Sequence, residues 1–175
     1  MHPPSITIDA DGSPAGFVAW YNHSNETGKI RAVRPATRND RFGVQRMEML
    51  AIYFALADNR SGISSALKVR SRSHQKLTVS VRSDSKTSVE QLQGVSEVRD
   101  AMIERICNAI RWISITSQQT ITFNHLDRRK NIAGLLLEQR RRKLEEEMMM
   151  LQYQTDYYTN HLGVFLTGPH SDISA

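Results

Sequence analysis

Three acidic residues lie where predicted strands end or a predicted helix begins. Asp11, or its neighbour Asp9, ends the first strand, Asp84 ends a later strand, and Glu48 lies in the first turns of a long helix. If the helix packs across two adjacent strands, the carboxylates meet in one shallow cleft. Such carboxylates are suitable ligands for Mg²⁺ or Mn²⁺. Two such ions about 3.5 to 4 Å apart stabilise the attacking and the leaving oxygen when a phosphodiester bond is displaced. The spacing therefore indicates a site for divalent cations.

The elements that must position these carboxylates follow from hydrophobic periodicity. Alternation of apolar and polar residues predicts five strands, at residues 5–11, 17–21, 29–33, 77–82 and 121–126. Helical spacing and capping predict helices at residues 44–58, 85–92, 97–113 and 131–150. The first three strands form an antiparallel meander and the others are linked by helices. We therefore expect an α/β fold, a mixed five-stranded sheet flanked by helices on both faces.

Segments without such a pattern are assigned to connections. Residues 59–76 are serine-rich and basic, which favours a surface loop, and residues beyond 152 lack sustained periodicity. We therefore predict one domain at 1–151 and a C-terminal tail at 152–175. Trp20 and Trp112 lie in apolar-periodic segments and are expected in the core.

Composition limits the class of protein. The chain has 175 residues and one cysteine, Cys107, which excludes a disulfide framework within one chain. No apolar run is long enough to cross a bilayer, and the N-terminus does not read as a secretory signal, so we expect a cytoplasmic protein with no membrane contact. The net charge of +5 and the excess of arginine over lysine favour a polyanionic partner, although such arginines also simply solvate a surface.

Four segments together resemble a known family. IDADGSPAGF, QRMEMLAIYFAL, VRSDSKTSVEQL and FNHLDRRKNIAGLLLE are similar, in this order, to successive motifs of the type 1 ribonuclease H family. The resemblance implies a ribonuclease H-like fold and hydrolysis of the RNA strand of RNA–DNA hybrids with two Mg²⁺ or Mn²⁺ ions. It assigns Asp11, Glu48 and Asp84 as catalytic residues and metal ligands. Asp9 has the same strand parity as Asp11 and is the alternative first ligand if the strand register differs.

The last motif departs from the family. The family has an aspartate after the alanine that opens the final helix, and this aspartate completes its metal site. Here Ala133 is followed by Gly134, so the fourth carboxylate is absent from its expected place. Glu138 lies one helical turn further and is either a substitute metal ligand or a solvated residue.

Further site residues are expected around these carboxylates. Those expected to contact substrate are Gln45, Ser85, Arg128, Arg129 and Asn131. Ser85 also suits a helix cap, and the two arginines also suit ordinary loop charges. His125 matches a family histidine thought to help proton movement, and it equally suits a structural role at the last strand.

Two functions remain open at this level. One is a metal-dependent endoribonuclease acting on RNA–DNA hybrids. The other is a catalytically impaired module that binds hybrid or structured RNA without cleavage, for which the missing carboxylate is the reason. The sequence indicates neither protein partners nor the oligomeric state.

Overall fold

Five strands and four α-helices follow one another in the predicted order. A computed structural model describes residues 5–34, 41–70, 77–117 and 119–166, with backbone only for residues 64–70 and 158–166. The strands are β1 (Ser5–Ser13), β2 (Phe17–Asn22), β3 (Thr27–Ala32), β4 (Thr78–Ser83) and β5 (Thr120–His125). The helices are α1 (Gly43–Arg70), α2 (Lys86–Gln93), α3 (Ala101–Thr116) and α4 (Ile132–Leu166). A 3-10 turn, Arg128–Lys130, precedes α4.

The strands form one mixed sheet in the order β3-β2-β1-β4-β5. The pairs β1–β2 and β2–β3 are antiparallel, whereas β1–β4 and β4–β5 are parallel. Parallel strands carry their C-terminal ends to the same edge of a sheet, so β1 and β4 end side by side. This confirms the predicted fold class.

The two faces of the sheet are covered by different helices. Ile8 and Ala10 of β1 lie in the main core with Met49 of α1, and α3 packs on α1 in the same layer. Cys107 of α3 is fully buried there, with its Sγ 3.9 Å from the Sδ of Met49. On the other face, Ala19 of β2 forms a small cluster with the first turns of α4.

The predicted loop at residues 59–76 is wrong for its first part, because α1 continues to Arg70. Ile63 is buried seven residues after buried Leu56 and so extends the apolar stripe. Asn59 is also buried: its amide donates to the carbonyl of Ala55 (2.8 Å) and its oxygen accepts from Asn22 (2.8 Å). These satisfied contacts keep a serine-rich segment helical, and residues 71–76 lie outside the described part of the chain.

The predicted C-terminal tail is helical as far as Leu166, so the boundary expected after residue 151 falls inside α4. The chain forms one compact unit at 1–137 and a second at 138–175, of which residues 167–175 lie outside the description. Trp20 is buried as expected, but the core assignment of Trp112 is wrong, because 65% of that side chain is exposed. None of the helices in the described residues is long and apolar enough to span a membrane.

Candidate metal centre

Three carboxylates from distant parts of the chain meet at the edge where β1 and β4 end. Asp11 lies on β1, Asp84 directly follows β4, and Glu48 projects from the second turn of α1. One carboxylate oxygen from each lies within 4.8 Å of the others. The parallel pairing of β1 with β4 places the two aspartates at the same edge of the sheet. The packing of α1 on β1 brings Glu48 close to them.

Gly12 allows that helix to come so close. A Cβ at Gly12 would overlap the carbonyl carbon of Met47 and would lie 2.5 Å from the backbone nitrogen of Glu48. Any larger residue would therefore push α1 away from β1. The glycine of the DGS motif is thus a steric requirement of the site that we did not single out from the sequence, although its place beside Asp11 was the available signal.

The electrostatics of the site are unfavourable without a counter-charge. Burial, and then the neighbouring Asp84, raise the pKa of Asp11 to about 7. Burial, and then Asp11 and Asp84, raise the pKa of Glu48 to about 9. Both carboxyl groups accept a hydrogen bond from the backbone of Gly12, and Arg128 opposes both shifts from a distance.

A divalent cation fits this arrangement. The Oε2 atom of Glu48 is buried and has no hydrogen-bond partner, which is costly for a polar atom unless something binds it. The site offers three hard oxygen donors with converging negative charge, which is the donor chemistry that Mg²⁺ and Mn²⁺ prefer. Asp11, Glu48 and Asp84 are the residues that could hold such ions.

Asn131 holds the side chain of Asp84 in place. Its side chain is fully buried and its Nδ2 donates to the carbonyl of Ala10 (3.0 Å) and to Oδ1 of Asp84 (2.9 Å). Its own Oδ1 accepts from the backbone of Gly134 (3.4 Å) in the first turn of α4. We expected Asn131 to contact substrate, but its burial and bonds give it the role of orienting Asp84.

Asp9 lies outside the carboxylate group. It is fully buried, its Oδ1 accepts from Arg82 Nε (2.7 Å), and its Oδ2 lies 2.9 Å from His23 Nε2. The same Oδ2 accepts from the backbone nitrogen of Ile132 (3.2 Å), at the start of α4. Asp9 thus anchors α4 to β1 while Asp11 faces the site, a division of roles that strand parity alone leaves open.

The position of the missing fourth carboxylate adjoins the site. A Cβ at Gly134 would lie 3.1 Å from Oδ2 of Asp11, so a side chain here would face the carboxylate group. Glu138 belongs to the second unit of the chain, where it pairs with Arg141 (2.7 Å) and Arg142 (3.2 Å) of its own helix. These arginines hold the pKa of Glu138 below its usual range. A role of Glu138 as a substitute ligand stays a prediction.

Two of the expected substrate contacts are engaged within the protein. Gln45 is half-buried and its amide donates to the side-chain oxygen of Gln91 (3.0 Å) in α2. Ser85 is the N-cap of α2, where its Oγ accepts from the backbone of Ser88 (3.4 Å). A cap of this kind is sufficient to explain a serine at this position.

The remaining expected residues are exposed beside the site. Arg128 and Arg129 lie in the 3-10 turn before α4, and Asp127 fixes that turn by accepting from the backbone of Arg129 (2.8 Å). His125 is exposed at the end of β5, paired in register with Ser83 of β4. The exposed arginines are available to a polyanion.

Comparison with solved structures identifies the fold. The chain is similar to LC11-RNase H1, isolated from compost by a metagenomic approach, with a TM-score of 0.59 and 20% identity over 76% of this chain and 91% of that one. It is also similar to the same enzyme solved in complex with an RNA/DNA hybrid, with a TM-score of 0.52 and 20% identity over 72% and 88% of the two chains. The N-terminal RNase H domain of a Mycobacterium tuberculosis protein gives a TM-score of 0.51 and 17% identity over 74% and 92%.

No protein-family model matches the chain, and no curated protein sequence matches it. The likeness is therefore one of structure, and the chain has a ribonuclease H-like fold. At the level of the fold, this confirms the resemblance found in the four sequence motifs.

Proposed function

We propose that the protein is a metal-dependent endoribonuclease that hydrolyses the RNA strand of RNA–DNA hybrids with two Mg²⁺ or Mn²⁺ ions. One observation carries the proposal: Asp11, Glu48 and Asp84 place carboxylate oxygens within 4.8 Å of one another at the edge of a ribonuclease H-like sheet. A half-buried, repulsive group of this kind is stable in its charged form only with a cation.

The residues of this chain would divide the work as follows. Asp11, Glu48 and Asp84 hold the ions, which when bound supply the positive charge that stabilises the attacking and leaving oxygens of a phosphodiester displacement. Asn131 orients Asp84 and ties it to β1. His125 is exposed near the end of β5 and is the proposed group for proton transfer.

The substrate class rests on charge and on the structural likeness. Arg128 and Arg129 are exposed in the turn before α4, and Arg128 is close enough to affect the pKa values of Asp11 and Glu48. Both arginines would contact the phosphate backbone, which positions a duplex without reading its sequence. One similar structure was solved in complex with an RNA/DNA hybrid, and this supports the same substrate here. We expect recognition by shape and 2′-hydroxyl contacts.

The test is cleavage of a labelled hybrid by the purified chain with Mg²⁺, Mn²⁺ or a chelator. Asp84→Asn keeps the oxygen that Asn131 bonds but removes the charge, so we expect hydrolysis to fall more than about 100-fold while the fold is retained. Asp156→Asn changes an exposed aspartate of α4 and is the matched control, expected to cleave normally. Undiminished cleavage by Asp84→Asn would overturn the assignment.

A second function is favoured by Gly134. Because no carboxylate stands beside Asp11 at that position, the protein could bind hybrid or structured RNA without cutting it. The same assay separates the two functions. Metal-dependent cuts in the RNA strand support the enzyme, whereas salt-sensitive binding without product supports the binding module.

A further inference from the structure

The distal part of α4 exposes an unusual amount of apolar surface. Met148 is 70% exposed and Leu151 is 62% exposed, on a helix that continues to Leu166. Most of the stability of helices in proteins comes from packing an apolar face against a partner, and exposed apolar surface is associated with interaction sites. The exposed apolar surface of the distal part of α4 therefore suits contact with a partner.

The order of residues along α4 matches a coiled-coil seam. Positions 144, 148, 151 and 155 are separated by alternating steps of four and three residues, and they carry Leu144, Met148, Leu151 and Thr155. The same steps lead by sequence to Tyr158, Leu162 and Phe165. Six of these seven positions are apolar or aromatic over three heptads, which is the pattern of the a and d positions of a coiled coil.

The charges beside the seam indicate both the partner and its direction. In this register Arg140 occupies a g position and Glu145 the e position of the next heptad. In a parallel, in-register pair of helices, each g residue faces that e residue of the partner, so Arg140 and Glu145 would attract each other twice. An antiparallel pair sets g against g and e against e, and Arg140 would then not meet Glu145.

Glu145 keeps capacity for this contact. In the single chain one of its oxygens accepts from Arg141 (2.9 Å), and its side chain is 56% exposed. Because an ionised carboxylate accepts several hydrogen bonds, a second arginine can share it. The helix is therefore complementary to a copy of itself in its apolar pattern and at the Arg140–Glu145 pair.

We propose that α4 of one copy pairs in parallel with α4 of a second copy along the Leu144 to Phe165 seam. The protein is then a dimer joined through residues 144–165. This inference does not depend on the nuclease proposal, since none of the seam residues belongs to the metal centre.

Two exposed methionines provide a matched test. Met148 lies on the seam, while Met150, which is 63% exposed, lies on the opposite side of the helix. Met148→Glu buries two like charges at the dimer contact and should raise the dimer Kd at least about 100-fold. Met150→Glu should change it by less than about threefold. Sedimentation equilibrium of the full chain over a concentration series measures both, and Leu151→Glu repeats the seam test.

Direction is tested by a single added thiol. Leu144→Cys should form a disulfide between copies under mild oxidation only if the helices are parallel and in register, since its own partner residue then faces it. Glu146→Cys, on the outer face, should not. A monomer at all concentrations, a dimer that Met148→Glu does not weaken, or a dimer without the 144–144 cross-link would each overturn the proposal.

Discussion

At the scale of single residues, Gly134 decides what the carboxylate group can do. Its missing side chain leaves the group with Asp11, Glu48 and Asp84, without the fourth acid that the sequence resemblance implies. The space is small, since a Cβ would stand 3.1 Å from Oδ2 of Asp11, and α4 or Asp11 would need to give by a few tenths of an ångström. An added acid would therefore lie within reach of the same ions.

Restoring that acid gives a paired prediction. Gly134→Asp should lower the apparent Kd for Mn²⁺ about 10-fold or more and raise hybrid cleavage, because it adds a charged oxygen donor. Gly134→Asn has the same size without the charge and should do neither. Calorimetric titration of Mn²⁺ together with the hybrid assay measures both.

Without metal, the thermal stability of the two Gly134 variants should follow the opposite order to their Mn²⁺ affinity. Without ions the new aspartate adds to the repulsion within the group, so Gly134→Asp should unfold at a lower temperature than Gly134→Asn. If the two variants bind Mn²⁺ equally, the side chain at 134 does not face the ions and the placement of the site is mistaken.

At the scale of elements, the approach of α1 to β1 builds the site. Gly12→Ala should destabilise the protein by about 2 to 3 kcal/mol, because the added methyl group overlaps the backbone at Met47 and Glu48. It should also weaken Mn²⁺ binding by moving Glu48 away from the aspartates. Urea unfolding and metal titration are the measurements.

Gly62 supplies the control for that variant. It lies in the helical extension of α1 with nothing within 4 Å of an added Cβ. Gly62→Ala should therefore raise the free energy of unfolding by about 0.5 to 1 kcal/mol. A loss of stability there would argue against a helix at this point, and an unchanged Gly12→Ala would argue against the close helix–strand contact.

These elements also show what sequence reasoning can and cannot reach. Alternation predicted all five strands, but it did not establish that β4 lies parallel beside β1. The extension of α1 was missed because Asn59 looks like a loop residue until its bonds to Ala55 and Asn22 are known. The bond from Asn22, which lies 37 residues away in the chain, has no local signal.

The site was predictable to a similar extent. Periodicity could place Asp84 at a strand end and Glu48 in the first turns of a helix, and the family resemblance favoured Asp11 over Asp9. The role of Asn131 could not be predicted, because its bonds to Ala10 and Asp84 span 121 and 47 residues. Whether an asparagine faces substrate or is buried behind a ligand depends on helix placement.

At the scale of the whole molecule, the raised pKa values link stability to pH. Asp11 (about 7) and Glu48 (about 9) both titrate above the ordinary carboxyl range, so the folded state binds more protons than the unfolded state between roughly pH 4 and 9. The contribution of these groups to the stability of the metal-free protein is therefore greatest in acid and is lost as pH rises through 7 and towards 9.

Added Mg²⁺ should reverse this trend. The ion competes with protons for the same carboxylates, so its stabilising effect should grow from pH 6 to pH 9. Thermal unfolding midpoints with Mg²⁺ and with a chelator across this range measure the effect. In Glu48→Gln the metal-free protein should be more stable at pH 8 and the Mg²⁺ effect smaller; a Mg²⁺ shift independent of pH would contradict the assignment.

Cys107 is the only thiol of the chain and lies fully buried against Met49, where burial also raises its pKa. A thiolate is the reactive form, so the folded protein resists alkylating reagents at this atom. The rate of labelling at Cys107 then reports how often α1 and α3 separate. The wild-type protein therefore contains a native probe of transient opening, and no probe has to be introduced.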